Sequence, residues 1–278
     1  GHKNLPIRIP DSSGILEESW LDTLVAPWND FEALERVMAT HGKEIACVVT
    51  EGVMSNMGVI LPKDGYLMRM QELCKEHGAL FYLDETVTGF RLAAGGCAEI
   101  YGLTPDIVTY GKALGGGFPM ACIGGPDHIM EGLEWGKVLH FGTHNAGRLP
   151  LHVTKTMLTT MLADNKANFK LIADLGQKMT AEIQSIAKSN NKHGMICQGL
   201  NSMFQIFFTD KDEITDYRDF CGHVNRIKFR DFALKLFDKG IYMNPGATLH
   251  SLSSIVHTDE EIAITAKAIA EVLDEMPA

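Results

Sequence analysis

The sequence predicts an α/β body with a mostly parallel sheet, followed by a smaller α+β segment. Apolar runs without alternation at residues 45–49, 80–83 and 107–110 are separated by segments of helical spacing. That pattern indicates parallel strands covered on both faces. Past Gly147 long helical periodicity takes over, and then short alternating stretches such as Met203–Phe208 suggest antiparallel strands. The expected division is residues 1–163 for the body and 164–278 for the smaller part.

Taken in order, residues 1–28 are rich in Pro, Gly and Ser and are expected to be irregular. Asp30 is a candidate cap for a helix whose first residues, FEALERVMAT, carry apolar side chains at helical spacing. The first apolar run ends at Thr50-Glu51, and the loop GVMSNMGVILPKDG leads to a second helix, YLMRMQELCKEH, stopped by Gly78. The second run ends at Asp84-Glu85 and the third just before Lys112. Helices LHVTKTMLTTML and FKLIADLGQKMTAEIQSIAKS follow. After the alternating stretches two more helices are expected, the last opening on Thr258-Asp259-Glu260-Glu261, a capping-box pattern.

Composition narrows the function classes. With 45% hydrophobic and 22% charged residues the chain has the balance of a globular protein rather than a disordered one. A net charge of −10 argues against a nucleic-acid partner held by a basic surface. Cys47, Cys74, Cys97, Cys122, Cys197 and Cys221 form no C-x-x-C pair, so reduced thiols and a cytoplasmic setting are expected, with no metal site. No apolar run is long enough to span a membrane as a helix.

Glu51, Asp84 and Lys112 each stand at or just past the end of an apolar run, where ligands bind in open α/β sheets. Lys112 alone could be a solvated surface lysine. Gly115, Gly116 and Gly117 behind it permit sharp turning or close approach of a ligand. A P-loop has its glycines before the lysine and Ser or Thr after it, the reverse of this order, and the glycines have no G-x-G-x-x-G phase. A partly desolvated lysine at a strand end is instead suited to forming a Schiff base with a carbonyl. Asp84 would then supply the carboxylate that a pyridinium nitrogen needs. A helix cap or a surface ion pair is the plainer use of Asp84-Glu85. A nucleotide- or phosphate-binding domain is a further alternative.

Three motifs, L-D-E-T-V-T-G-F-R from Leu83 to Arg91, Y-G-L-T-P-D from Tyr101 to Asp106, and Y-G-K-A-L-G-G-G-F-P from Tyr110 to Pro119, closely resemble the class III aminotransferases. These are fold type I pyridoxal phosphate (PLP) enzymes, and the similarity is nearest to their glutamate-1-semialdehyde aminomutase branch. It runs in order from Pro10-Asp11-Ser12 to His257-Thr258-Asp259-Glu260-Glu261. The resemblance implies a PLP-dependent aminotransferase or aminomutase acting on an amino or oxo acid, working as a homodimer with its site at the interface.

Residue by residue, the resemblance gives Lys112 the role of Schiff-base lysine and proton carrier, and Asp84 that of pyridinium partner. Thr86 falls where the family often has a Val packed on the cofactor ring. Glu51 and Asn56 match the family's E-P-x-x-G-N-x-G loop near the phenolic oxygen, although Gly52 replaces the Pro and Ser55 the Gly. Thr143 resembles the threonine that reaches the neighbouring subunit's cofactor phosphate, although His144-Asn145-Ala146-Gly147-Arg148 departs from the usual S-G-N-P. In the loop from Asn244 to Ser251, Leu249 or His250 stands where aminomutases carry an acidic residue that meets a substrate amino group.

The family pattern also includes a Ser/Gly-rich phosphate cup and a stacking aromatic, and Gly1-His2 resembles the residues just after that aromatic. The chain alone is therefore expected to bind PLP weakly or not at all and to have no useful transaminase activity. A truncated or catalytically silent fragment, or an accessory subunit of the same fold, is the alternative function.

Overall fold

The computed structural model describes residue 6 and residues 8–10, 12–133 and 137–277. The readings placed on Gly1-His2 and on Asp11 lie outside these residues. The body opens with helix α1 (Phe31–His41), whose Asp30 accepts from Ala33 N at 2.9 Å, as the local sequence predicts. Strand β1 (Cys47–Glu51), helix α2 (Tyr66–His77), strand β2 (Leu80–Glu85), helix α3 (Gly96–Tyr101) and strand β3 (Ile107–Tyr110) follow. Gly78 ends α2 at φ 75°, a left-handed conformation that favours glycine. Strand β4 (Cys122–Gly124) and the short helix α4 (Asp127–Met130) complete this part.

The first sheet has the order β1-β2-β3-β4, with the first three strands parallel and β4 antiparallel. The parallel part agrees with the sequence; the covering of both faces does not. Strands laid down in sequential order with right-handed crossovers put every connecting helix on the same face, since only a reversal of strand order would move helices to the other. Phe81 and Leu83 accordingly pack against Leu34 and Met38 of α1, Leu67 and Leu73 of α2, and Cys97 of α3. The opposite face is open: Val49 is 57% and Ile123 42% exposed.

Helix α5 (Arg148–Ser189) spans the transition, with non-helical backbone at Ala163, Asp164, Asn165 and Lys166. The two helices read from the sequence are its two arms. Beyond it lie β5 (Met195–Leu200), β6 (Met203–Phe208), α6 (Tyr217–His223), α7 (Arg226–Asp238), β7 (Ser251–Leu252) and α8 (Asp259–Glu275). The second sheet is antiparallel in the order β5-β6-β7. All of β6 is buried, Gln205 included, so its polar position does not mark a wet face. Its core joins Phe207 and Phe208 to Ile183, Phe229, Phe232, Val272 and Leu273.

Three helices follow β6 rather than the expected two. The extra one, α6, is only seven residues long, and its signal is local: Asp216 accepts from both Arg218 N and Asp219 N. The capping box at α8 forms as predicted, with Glu261 accepting from Thr258 N at 2.7 Å. Among the described residues no helix is long and apolar enough to cross a membrane.

Candidate active site

The carboxyl ends of the parallel strands place three predicted residues together. The strand register sets Glu51 beside Asp84 and Asp84 beside Thr109, a row running across the sheet. Asp84 alternates with Phe81 and Leu83 along β2 and so belongs to the open face. Its Oδ1 accepts from Thr86 N at 2.9 Å and from Thr109 Oγ1 at 3.1 Å, and Tyr82 OH donates to that same Thr109 oxygen at 3.2 Å. Oδ2 has no partner among the described residues. Asp84 is thereby fixed by one oxygen and presents the other.

Lys112 follows β3 after one glycine and opens the turn Lys112–Gly115. It adopts φ 42°, a left-handed backbone conformation uncommon for a residue with a side chain. Gly111 before it is a close approach: a Cβ there would lie 3.1 Å from Thr86 Cγ2. Thr86 thus touches both Asp84, through its N–H, and the backbone leading into Lys112. The expected partial desolvation of Lys112 is not found, for the residue is exposed. Within its turn Leu114 and Gly115 are buried, whereas residues 116–119 are exposed.

Glu51 is held by Ser55, whose N–H donates to Oε2 at 3.1 Å and whose hydroxyl donates to the same oxygen. Burial pushes the Glu51 carboxyl above its ordinary range against these bonds; Asp84 adds to the rise and Lys112 opposes it. All three strand-end residues therefore share one electrostatic neighbourhood. The departures from the family loop have visible uses. Ser55 supplies a hydroxyl that glycine lacks, and a Cβ on Gly52 would fall 2.2 Å from Cys97 Cβ.

Two predicted residues are not brought in. Asn56 is exposed in the turn Ser55–Met57 and makes no hydrogen bond among the described residues. Thr143 is exposed in the turn before α5 and likewise has no hydrogen bond to the other site residues.

The structure adds residues that sequence reasoning passed over. Glu85 is fully buried, accepts from Ala98 N at 2.8 Å and from the Thr88 hydroxyl, and its carboxyl is raised by burial. It anchors the start of α3, so the plain cap reading applies to Glu85 and not to Asp84. His250, singled out only as a possible replacement, donates from Nδ1 to Ser55 O at 3.0 Å. Arg91, the last residue of the D-E-x-x-T-G-F-R motif, donates from Nη1 to Ser253 O at 3.2 Å. No local pattern marks these long-range partners.

The site is thus a parallel α/β sheet with a lysine on the turn after one strand and a carboxylate at the end of its neighbour. The chain belongs to the class III aminotransferase family, whose model matches residues 15–274. Members of that family use pyridoxal phosphate. The chain is 39% identical over 269 residues to a glutamate-1-semialdehyde 2,1-aminomutase of Alkaliphilus oremlandii, covering 96% of this chain and 61% of that one. An omega-transaminase from Sphaerobacter thermophilus superposes with a TM-score of 0.87 at 25% identity, covering 97% of this chain and 61% of that one. A transaminase with PLP bound has the same fold, with a TM-score of 0.82 at 23% identity, over 95% of this chain and 60% of that one. The chain thus spans about three fifths of the length of the curated relatives it matches.

Proposed function

We propose that this chain carries the catalytic core of a PLP-dependent aminotransferase or aminomutase acting on an amino or oxo acid, of the glutamate-1-semialdehyde aminomutase type. The observation that supports the reading is the placement of Asp84 and Lys112 at the carboxyl ends of adjacent parallel strands, with Thr86 bonded to Asp84 and close to Gly111. The residues present fit the cofactor's chemistry. Asp84 offers a free carboxylate oxygen in a fixed orientation, suited to accept an N–H from a ring nitrogen. Lys112 offers a primary amine on a short turn of strained backbone. When bound, PLP supplies an electron sink for the pair left by a broken Cα–H bond.

Lys112 binds the cofactor covalently through Nζ in the resting enzyme. When displaced by a substrate amine, Nζ would carry the proton between the substrate α carbon and the cofactor C4′. Asp84 holds the ring nitrogen protonated, because a fixed negative charge favours the charged ring. Thr86 fixes Asp84 and lines the approach to Lys112; Glu51 and Asn56 belong to the rim beside the ring oxygen. Thr143 reaches the partner's cofactor in a cytoplasmic homodimer. The division into residues 1–163 and 164–278 belongs to the same proposal, supported by the backbone break at Ala163–Lys166.

A second reading, a silent or accessory chain of the same fold, is favoured by the exposure of Lys112 and by the open sheet face around Val49 and Ile123. Incubating the PLP-treated chain with an amino acid donor and an oxo acid acceptor separates the two. Amino transfer that Lys112→Ala abolishes supports the first reading. PLP uptake without transfer supports the second.

A further inference from the structure

His250 lies beside the strand-end residues and Arg91 reaches the same loop at Ser253, and neither takes part in the chemistry assigned above. Arg91 is half-buried, yet no carboxylate pairs with it among the described residues. A guanidinium has five N–H donors, and the bond to Ser253 O uses one. A charged group taken partly out of water without a counter-charge is costly, and an incoming anion relieves that cost. Burial, the sole influence on it, pushes its pKa down.

His250 shows the same want from the other side. With Nδ1–H donating to Ser55 O, Nε2 of the neutral ring is an acceptor without a partner among the described residues, and it donates only when the ring takes up a proton. Burial lowers the imidazole's pKa, the Ser55 bond opposes this, and the charges of Lys112 and Arg91 lower it further. Lys112 and Arg91 thus both favour the neutral His250 ring, and an anion seated here would let the ring take up a proton and donate from Nε2. Among the described residues neither Glu51, bonded to Ser55, nor Asp84, bonded through Oδ1 to Thr86 and Thr109, is hydrogen-bonded to Arg91 or His250. The bonds Arg91–Ser253 and His250–Ser55 also tie the loop around β7 to the body, so both side chains are positioned before any ligand arrives.

We propose that Arg91 and His250 form the subsite that receives a substrate carboxylate, so that the amino or oxo acid handled beside Lys112 is held by its acid group against these two side chains. The proposal rests on the aminotransferase reading for the identity of the substrate. The recognition itself needs only an anion meeting a planar guanidinium, the geometry in which arginine binds carboxylates best.

The test uses the isotope-labelled 278-residue chain without PLP and follows the His250 ring signals by NMR, assigned with His250→Gln. Glutarate is the probe and glutaramide its neutral control. Glutarate should shift the His250 signals and glutaramide should not. Arg91→Gln should weaken glutarate by about tenfold or more, the scale of a charged hydrogen bond, and Arg91→Lys should recover part of that loss. Loss of the tie to Ser253 could unfold Arg91→Gln; the wild-type signals and Arg91→Lys then decide. A His250 ring indifferent to glutarate, or equal shifts from glutaramide, would overturn the proposal. So would unaltered glutarate affinity in a folded Arg91→Gln chain. If glutarate binds as described while PLP never modifies Lys112, the function reading falls and the carboxylate subsite stands. If PLP modifies Lys112 while glutarate leaves His250 untouched, only the subsite falls.

Discussion

Asp84 and Glu85 are neighbours on β2 and face opposite sides of the sheet. Asp84 stands half-exposed on the open face, held by Thr86 and Thr109, whereas Glu85 is wholly buried among the helices and accepts from Ala98 N and Thr88. The two-residue period of a strand turns one acidic pair into two different instruments. One is available to a ligand; the other holds α3 in place.

Glu85→Ala should therefore destabilise the fold while leaving ligand contacts at Asp84 in place. It strips the buried Ala98 N–H and Thr88 hydroxyl of their acceptor, at a cost of about 3 kcal/mol for two unsatisfied groups. Glu85→Gln, which keeps an acceptor oxygen, should lose less. Urea unfolding of the three chains checks this order, and an unchanged midpoint for Glu85→Ala would show that α3 does not depend on the carboxyl.

Asp84→Ala should behave in the opposite way. The side chain is half-exposed and bonded through one oxygen, so stability should change little. Removing a fixed charge beside the reacting group should slow proton abstraction by roughly 10²–10³-fold, on the scale of other preorganised electrostatic contacts. Single-turnover kinetics with a deuterated α carbon measures that step. Turnover equal to the parent chain would remove Asp84 from the chemistry.

His193 gives the fold a pH dependence independent of the site. It is buried, and among the described residues its ring nitrogens make no full hydrogen bond, with only the Leu273 backbone acting weakly on the ring. Burial lowers its pKa below the ordinary 6.5, and Lys228 and Lys192 lower it further. The native state then binds fewer protons than the unfolded chain, so the stability contribution is complete above about pH 6.5 and is lost as pH falls from there through the lowered value. Unfolding free energies between about pH 7.5 and 5 should show this decline, and His193→Leu should flatten it. An identical slope in both chains would assign the decline to other groups.

What the sequence discloses of this molecule is mostly local. Asp30, Gly78 and the Thr258/Glu261 pair act within one helical turn of themselves, and their residue types suffice to place helix ends. The strand-end positions of Glu51, Asp84 and Lys112 are likewise legible, since an apolar run followed by a polar residue is a short-range signal. The open sheet face is not, because apolar runs do not say on which side the crossover helices fall. Ser55 holding Glu51 is hidden behind a departure from the family motif. Arg91 with Ser253, and His250 with Ser55, join positions 162 and 195 residues apart, and no spacing rule reaches that far.

The central claim is that Lys112 is the group that takes up PLP, and chemical trapping tests it most directly. The chain is mixed with excess PLP, reduced with borohydride, digested, and its peptides sequenced by mass spectrometry. The account predicts a pyridoxyl group on Lys112, in the peptide containing Tyr110-Gly111-Lys112-Ala113, and none there when Lys112 is replaced by Ala. Labelling confined to other lysines, with Lys112 recovered unmodified, would contradict it.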